Sequence, residues 1–269
     1  MVLRKKVAAE GTTAQVAGII PARWGSSRFP GKPLHQLAGK SLLGHVIARA
    51  GSCESLDVLL VATDDERIAR EALANGAEVA MTSSQHATGT DRIAEALSSY
   101  PSIQHVLNIQ GDEPLVSPSL IDLMADTLRK QRGIDMITAA NPISDLTQLD
   151  DPNIVKVVLN RSNDALYFSR SPLPYNRSQG ELFSPFRHVG LYGYQRGFLE
   201  KFVSWPEGDL ERVEQLEQLR ALENGARIRV IVTEHDSIGL DTPEQVPEIE
   251  ALLAGSTDAK YSPNINQSR

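Results

Sequence analysis

Apolar positions along the chain fall into short runs that alternate between two periods. QVAGIIPAR, beginning at Gln15, is an unbroken apolar run ended by a proline and a cation, which predicts a short buried strand. SLLGHVIARAGS then places Leu42, Leu43, Val46 and Ile47 on or near one face, the spacing of an amphipathic helix. The pattern repeats. DVLLVAT predicts a strand, DDERIAREALANG a glycine-stopped helix, AEVAMT a strand, GTDRIAEALSSY a helix and HVLNIQ a further strand. This alternation predicts an α/β fold: a central, mostly parallel sheet flanked by helices, with ligands held outside the carboxyl ends of the strands.

Beyond PSLIDLMADTLRKQ, which predicts a helix, the texture changes to the shorter extended pieces DMITAANPI, IVKVVLN and ALYFSR, and then to the proline-bearing SPLPYNRSQGELFSP. We read an inserted β-rich lobe over about residues 140–200. HVGLYGYQ resumes strand character and GFLEKFVSW predicts a short helix. DLERVEQLEQLRALENG predicts one charged helix packed by Val213, Leu216, Leu219 and Leu222, followed by the strand RIRVIVTE. The expectation is a single domain over residues 14–255, with flexible tails at 1–13 and 256–269.

With 41% hydrophobic and 23% charged residues in 269, the composition supports a substantial core and excludes disorder as the dominant state. The 27 Lys and Arg against 34 Asp and Glu give a net charge of −7, which argues against broad binding of nucleic acid or an anionic membrane. Cys53 is the one cysteine, so neither a disulfide framework nor a multi-thiolate zinc site is available within a chain. No stretch approaches the roughly 20 apolar residues of a spanning helix, and no signal-peptide core is present, so a cytoplasmic location is expected.

Three segments concentrate chemistry. In IIPARWGSSRFPGKPL a buried strand opens into Gly25, Ser26, Ser27 and Gly31 interleaved with Arg23, Arg28 and Lys32. Small residues let backbone amides approach an anion while the cations neutralise it, which suits a polyphosphate; a surface turn with solvated charges reads equally well. Neither a P-loop nor a GxGxxG motif is present. NIQGDEP ends a strand in Asp112 and Glu113, where Asp112 either holds a hydrated Mg²⁺ or caps the following turn. In GLDTPEQV, Asp241 precedes a Thr-Pro helix start, and taken alone capping is the favoured reading.

Taken together these segments closely resemble the 3-deoxy-manno-octulosonate (Kdo) cytidylyltransferases, also called CMP-Kdo synthetases. QHATGTDRIAEA, NIVKVV, ALYFSRSPLPY, RHVGLYGYQ, LEQLRALENG and GLDTPE resemble that family's segments in the same order, so the likeness covers most of residues 16–247. The departures are Gln195, where the family commonly has Arg, the residues at Trp24 and Gly25, and extensions at both ends.

The resemblance implies a Rossmann-like nucleotidyltransferase fold and a homodimer; the apolar residues of the lobe make about residues 140–200 the expected contact region, unless Phe168, Leu173, Tyr175 and Phe186 form a small core within one chain. It implies CTP held by Arg23, Ser27, Lys32, Thr90, Arg92 and Gln110, and Kdo held by Arg170, His188, Tyr192, Glu217 and Gln218, with Arg170 clamping the carboxylate. Asp112 and Asp241 correspond to the family's Mg²⁺ ligands. The implied reaction is in-line attack of the sugar's anomeric hydroxyl on the α-phosphorus of CTP, giving CMP-Kdo for lipopolysaccharide biosynthesis. Arg23, Lys32 and the metal stabilise the departing pyrophosphate. An acceptor such as 8-amino-Kdo or another sugar acid, a different nucleotidyltransferase and a non-catalytic nucleotide-binding module are the alternatives; two retained carboxylates argue against the last.

Overall fold

The computed structural model describes residues 15–25, 29–177, 184–235 and 238–255. The elements, in chain order, are β1 (Gln15–Ala22), β2 (Gln36–Leu37), β3 (Lys40–Ser41), α1 (Leu42–Ala50), β4 (Val58–Thr63), α2 (Glu66–Ala74), β5 (Glu78–Met81), α3 (Gly89–Leu97) and β6 (Ile103–Asn108). They continue as α4 (Pro118–Lys130), β7 (Met136–Pro142), β8 (Lys156–Leu159), β9 (Ala165–Ser169), β10 (Phe186–Gln195), α5 (Arg196–Phe202), α6 (Asp209–Glu214), α7 (Gln218–Glu223), β11 (Ile228–Val232) and α8 (Val246–Gly255).

The main sheet runs β11-β7-β10-β6-β1-β4-β5. β1, β4, β5 and β6 are parallel, as are β7 and β11, while β10 is antiparallel to both its main-sheet neighbours. The α/β class and mostly parallel sheet expected from the alternation are therefore found. β1 is buried on both faces: Val16 and Ile20 join one hydrophobic cluster, and Ala17 and Ile19 the other. The first cluster receives Leu43, Val46 and Ile47 of α1, Ile68 of α2 and Leu120, Ile121 and Met124 of α4. The second receives Ile93 and Leu97 of α3, Phe198 and Phe202 of α5 and Leu219 of α7. Each large apolar side chain removed from water in this way stabilises the fold by roughly 1.5–3 kcal/mol before entropy is counted.

Side-chain caps begin four of the helices, at Ser41, Asp65, Thr88 and Ser117, and Thr88 forms a reciprocal box with Asp91. The strand order then positions the site. After β1 the chain builds outward through β4 and β5, then returns to place β6 on β1's other side. The carboxyl ends of β1 and β6 consequently diverge into their loops at a topological switch point, where open α/β sheets bind ligands.

Two expectations need correction. The charged helix predicted from Asp209 is two helices, α6 and α7, separated at Gln215, whose φ of 54° is left-handed. The break lets the Glu214 carboxylate accept from Ser169 Oγ and the Arg170 N–H, and it leaves Val213 80% exposed while Leu216 and Leu219 are buried. Within the segment expected as an inserted lobe, β8 and β9 form an antiparallel arm on the first residues of β10, while β10 itself runs in the main sheet. Among the described residues no helix is long and apolar enough to cross a membrane.

Candidate active site

After β1, Trp24 and Gly31 are brought together. The Gly31 N–H donates to the Trp24 carbonyl, and the Trp24 ring lies against Gly31, where an added Cβ would sit 2.9 Å from a ring carbon. Gly31 also has a φ of 71°, so a side chain there meets both a clash and backbone strain. The Arg67 guanidinium of α2 lies over the Trp24 ring, 3.4 Å from its centroid. This packing presents Lys32 at the start of a single 3-10 turn, Lys32–Leu34. Ser27 lies outside the described residues.

Across the switch point, the chain leaving β6 passes so close to β1 that a Cβ on Gly111 would approach the Pro21 carbonyl to 3.1 Å. Only a glycine fits there without displacement, and Asp112 follows it. The Asp112 carbonyl accepts from the Leu240 N–H, and Leu240 is buried among Phe29, Leu37, Leu42 and Ile249. That anchor delivers Asp241 to the same place. Lys32 Nζ lies 2.7 Å from Asp112 Oδ2 and 3.8 Å from Asp241 Oδ1. The capping readings for both aspartates give way: Ser117 caps α4, and Thr242 with Gln245 forms the box at the last turn.

A cleft of about 460 Å³ opens above this cluster. Its walls include Arg23, Lys32, Arg92, Gln110 and Asp112, as the sequence predicts, and also His86, Thr88 and Gly89. Arg92 is buried, donates to Thr82 Oγ1 at 2.6 Å and pairs with Asp64 at 3.3 Å, so it carries positive charge to the wall while bracing α3 against β4 and β5. Gln110 donates to Asn108 Oδ1. His86, which the sequence reading missed, pairs with Glu95, whose carboxyl is held below its usual range by the Ser83 N–H and then by His86. Thr90 stands one step back from the cleft, its hydroxyl given to Glu217 Oε2 at 2.7 Å.

A second cleft, of about 310 Å³, is lined by Glu113, Asn153, Arg187, His188, Tyr192 and Gln218 together with apolar neighbours. The one proton of the Thr138 hydroxyl is taken up by the Val189 and Leu191 carbonyls, so we assign His188 Nε2 as the donor to Thr138 Oγ1, which makes Nδ1 the acceptor of the neutral ring. Burial pushes the His188 imidazole below its ordinary pKa and the Tyr192 phenol well above its own, so both enter as neutral hydrogen-bonding groups. Tyr192 donates to Gln218 Oε1 at 3.1 Å. Gln218 is only 3% exposed, and its buried Nε2 has no partner among the described residues. An unpaired amide donor in a cleft wall marks where a ligand acceptor belongs.

Two expected acceptor-binding residues do not line this cleft. Arg170 directs its guanidinium to the backbone carbonyls of Glu214, Pro152 and Gln215, so in place of an open fork for a carboxylate it braces two walls together. Glu217 ties α3 to α7 through Thr90 and Arg220, and burial raises its pKa. Among the described residues the cation that lines the cleft is Arg187, whose pKa burial lowers and the Glu113 carboxylate supports. Arg187 and its neighbour His188 both line the cleft, although adjacent strand residues ordinarily face opposite ways. Lys156 was also missed. Fully buried in NIVKVV, its ammonium donates to the carbonyls of Asp151, Ile154 and Arg170 and fixes the 151–156 wall.

A cytidylyltransferase family model matches residues 17–228. The 3-deoxy-manno-octulosonate cytidylyltransferase of Solibacter usitatus is 48% identical over 242 residues, covering 90% of this chain and 96% of its own. The protein of that name from Syntrophotalea carbinolica is 46% identical over 248 residues, covering 89% and 99%. The chain belongs to the 3-deoxy-manno-octulosonate cytidylyltransferase family. A solved CMP:2-keto-3-deoxy-manno-octonic acid synthetase complexed with CTP is 36% identical, with a TM-score of 0.87 over 91% of this chain and all of that one. A 4-diphosphocytidyl-2C-methyl-D-erythritol synthase from Anaerococcus prevotii, 15% identical with a TM-score of 0.62, shares the fold.

A divalent cation fits the donors that this member of the family presents. Among the described residues no group of three or more His, Cys, Asp or Glu side chains converges as a metal site. Asp112 and Asp241 nevertheless already share one cation, the Lys32 ammonium. Mg²⁺ is typically held by one or two carboxylates, with waters and substrate phosphates completing its octahedron, so a carboxylate pair suffices.

Proposed function

We propose that this chain transfers CMP from CTP to the anomeric hydroxyl of Kdo, releasing pyrophosphate and giving CMP-Kdo for lipopolysaccharide biosynthesis. The observation that carries this reading is that the two clefts adjoin at consecutive residues: Asp112 lines the first and Glu113 the second. A nucleotide seated in the first and a sugar acid in the second would bring α-phosphorus and hydroxyl together beside Asp112. The sequence names of the relatives and the CTP complex of the solved neighbour support the same pair of substrates.

Arg23, Lys32 and Arg92 supply positive charge to the triphosphate, and Gln110 offers an amide to the base or ribose. Arg187 faces the acceptor carboxylate, while Gln218 Nε2 and His188 Nδ1 bond its hydroxyls. Bringing two anionic substrates together requires this lining, because unscreened repulsion would hold them apart. Asp112 and Asp241 would hold Mg²⁺, which when bound supplies charge that polarises the attacking hydroxyl.

Pyrophosphate release with CTP, Mg²⁺ and a panel of Kdo, 8-amino-Kdo, sialic acid and a sugar phosphate tests the reading. Release is expected with CTP and Kdo together, and Gln218→Leu is expected to raise the acceptor KM about tenfold with little change in the CTP KM. Equal turnover with every nucleoside triphosphate or acceptor would sink it.

We also infer a homodimer through the β8–β9 arm and the segment that follows it, where Leu166 of β9 and Tyr175 after it are exposed. Sedimentation equilibrium at assay concentration is expected to give twice the chain mass; an active monomer contradicts it. The reading places the enzyme in the cytoplasm. Cys53 is a free thiol whose pKa burial pushes up to about 12, inert in a reducing compartment. Activity recovered outside the cytoplasmic fraction would count against this.

A further inference from the structure

Lys32 sits where two lines of argument claim it. It lines the nucleotide cleft, where a triphosphate needs its charge, yet its ammonium is seated between Asp112 and Asp241, 2.7 and 3.8 Å away. We propose that Lys32 is a built-in counter-cation: in the nucleotide-free enzyme it holds the position between the two carboxylates, so a divalent cation gains full access only when nucleotide phosphates draw the lysine away. The inference rests on the reading of Asp112 and Asp241 as metal ligands given above.

The geometry supplies each requirement of such an exchange. The carboxylates are held from the backbone side, through the Leu240 N–H on the Asp112 carbonyl and Leu240 in its apolar cluster, so the pair persists when the lysine leaves. The lysine backbone is fixed independently, its N–H on the Phe29 carbonyl beside the bond from the Gly31 N–H to the Trp24 carbonyl. Only the four-carbon stem has to move, and that stem is flexible. Asp241 is 65% exposed, which leaves a route for an incoming ion. A triphosphate carrying about four negative charges competes well for an ammonium against a carboxylate that is itself partly solvated. Departure of the lysine then removes a positive charge from beside the incoming ion and returns two carboxylates to it. Nucleotide and metal are therefore coupled through one side chain, and the coupling is reciprocal.

Mn²⁺ binding to the full chain without nucleotide, read from loss of the free-ion electron paramagnetic resonance signal, tests this without reference to turnover. Lys32→Gln keeps the length and removes the charge, and it is expected to bind Mn²⁺ about tenfold more tightly than wild type, equivalent to about 1.4 kcal/mol. Lys32→Arg retains a cation and is expected to bind as weakly as wild type. Adding Asp112→Asn to Lys32→Gln is expected to abolish the gain. If Lys32→Gln binds no more tightly while Asp112→Asn weakens binding, the counter-cation role is overturned and the metal reading stands. If Mn²⁺ binding is indifferent to both aspartates in every background, the metal reading falls and takes this proposal with it.

Discussion

Replacing Asp112 with Asn is expected to lower kcat/KM by about three orders of magnitude, or roughly 4 kcal/mol of transition-state stabilisation. The substitution keeps the shape and the backbone link to Leu240 but removes the full negative charge from the wall where the two clefts adjoin. The stability change should be small by comparison. The side chain is about a third exposed, and a part-solvated pair with Lys32 contributes on the order of 1 kcal/mol or less. Steady-state pyrophosphate release in saturating Mg²⁺, set beside a thermal unfolding midpoint, checks both halves. Wild-type turnover by Asp112→Asn would remove Asp112 from the chemistry. A turnover loss accompanied by a large drop in midpoint would make it a folding residue instead.

The contrast between what the chain disclosed in advance and what it hid has physical causes. Strands such as QVAGIIPAR are buried on both faces and helices such as α1 on one, so local apolar spacing reports them directly. The first cleft was legible for the same kind of reason. Its polar and charged residues cluster in the short segments that follow β1 and β6, where Arg23, Lys32, Gln110 and Asp112 are found. Asp241 is different: local spacing favours a cap, the family resemblance pairs it with Asp112, and the Leu240 N–H on the Asp112 carbonyl is the contact that brings it to Lys32.

The second cleft is assembled from β10, the 151–155 segment, Glu113 and the α6–α7 break, and no local pattern announces contacts among them. A continuous charged periodicity concealed the break at Gln215, because a left-handed residue there is stabilised by tertiary bonds from Glu214 to Ser169 and Arg170. Arg170 is placed by tertiary bonds of the same region. An arginine in a basic motif reads as ligand-directed until its guanidinium is seen on three backbone carbonyls. Arg187, to which the motifs assign no role, lines the cleft from β10.

Lys32→Ala is expected to lower kcat/KM for CTP by about a hundredfold while leaving the fold intact. A cation aimed at developing phosphate charge in a partly enclosed cleft is worth about 3 kcal/mol to the transition state, whereas its resting pair with Asp112 contributes little to folding. The loss should appear in both the CTP KM and kcat, because the charge on the departing pyrophosphate grows during the reaction. The acceptor KM should move far less, since Lys32 lines the first cleft and not the second. Raising Mg²⁺ should not restore activity: the aspartates are already relieved of their competitor, and the missing charge belongs to the phosphates. Rescue by Mg²⁺ to near wild-type rates, or a CTP dependence unchanged by the substitution, would assign Lys32 to the aspartate cluster alone and leave the triphosphate to Arg23 and Arg92.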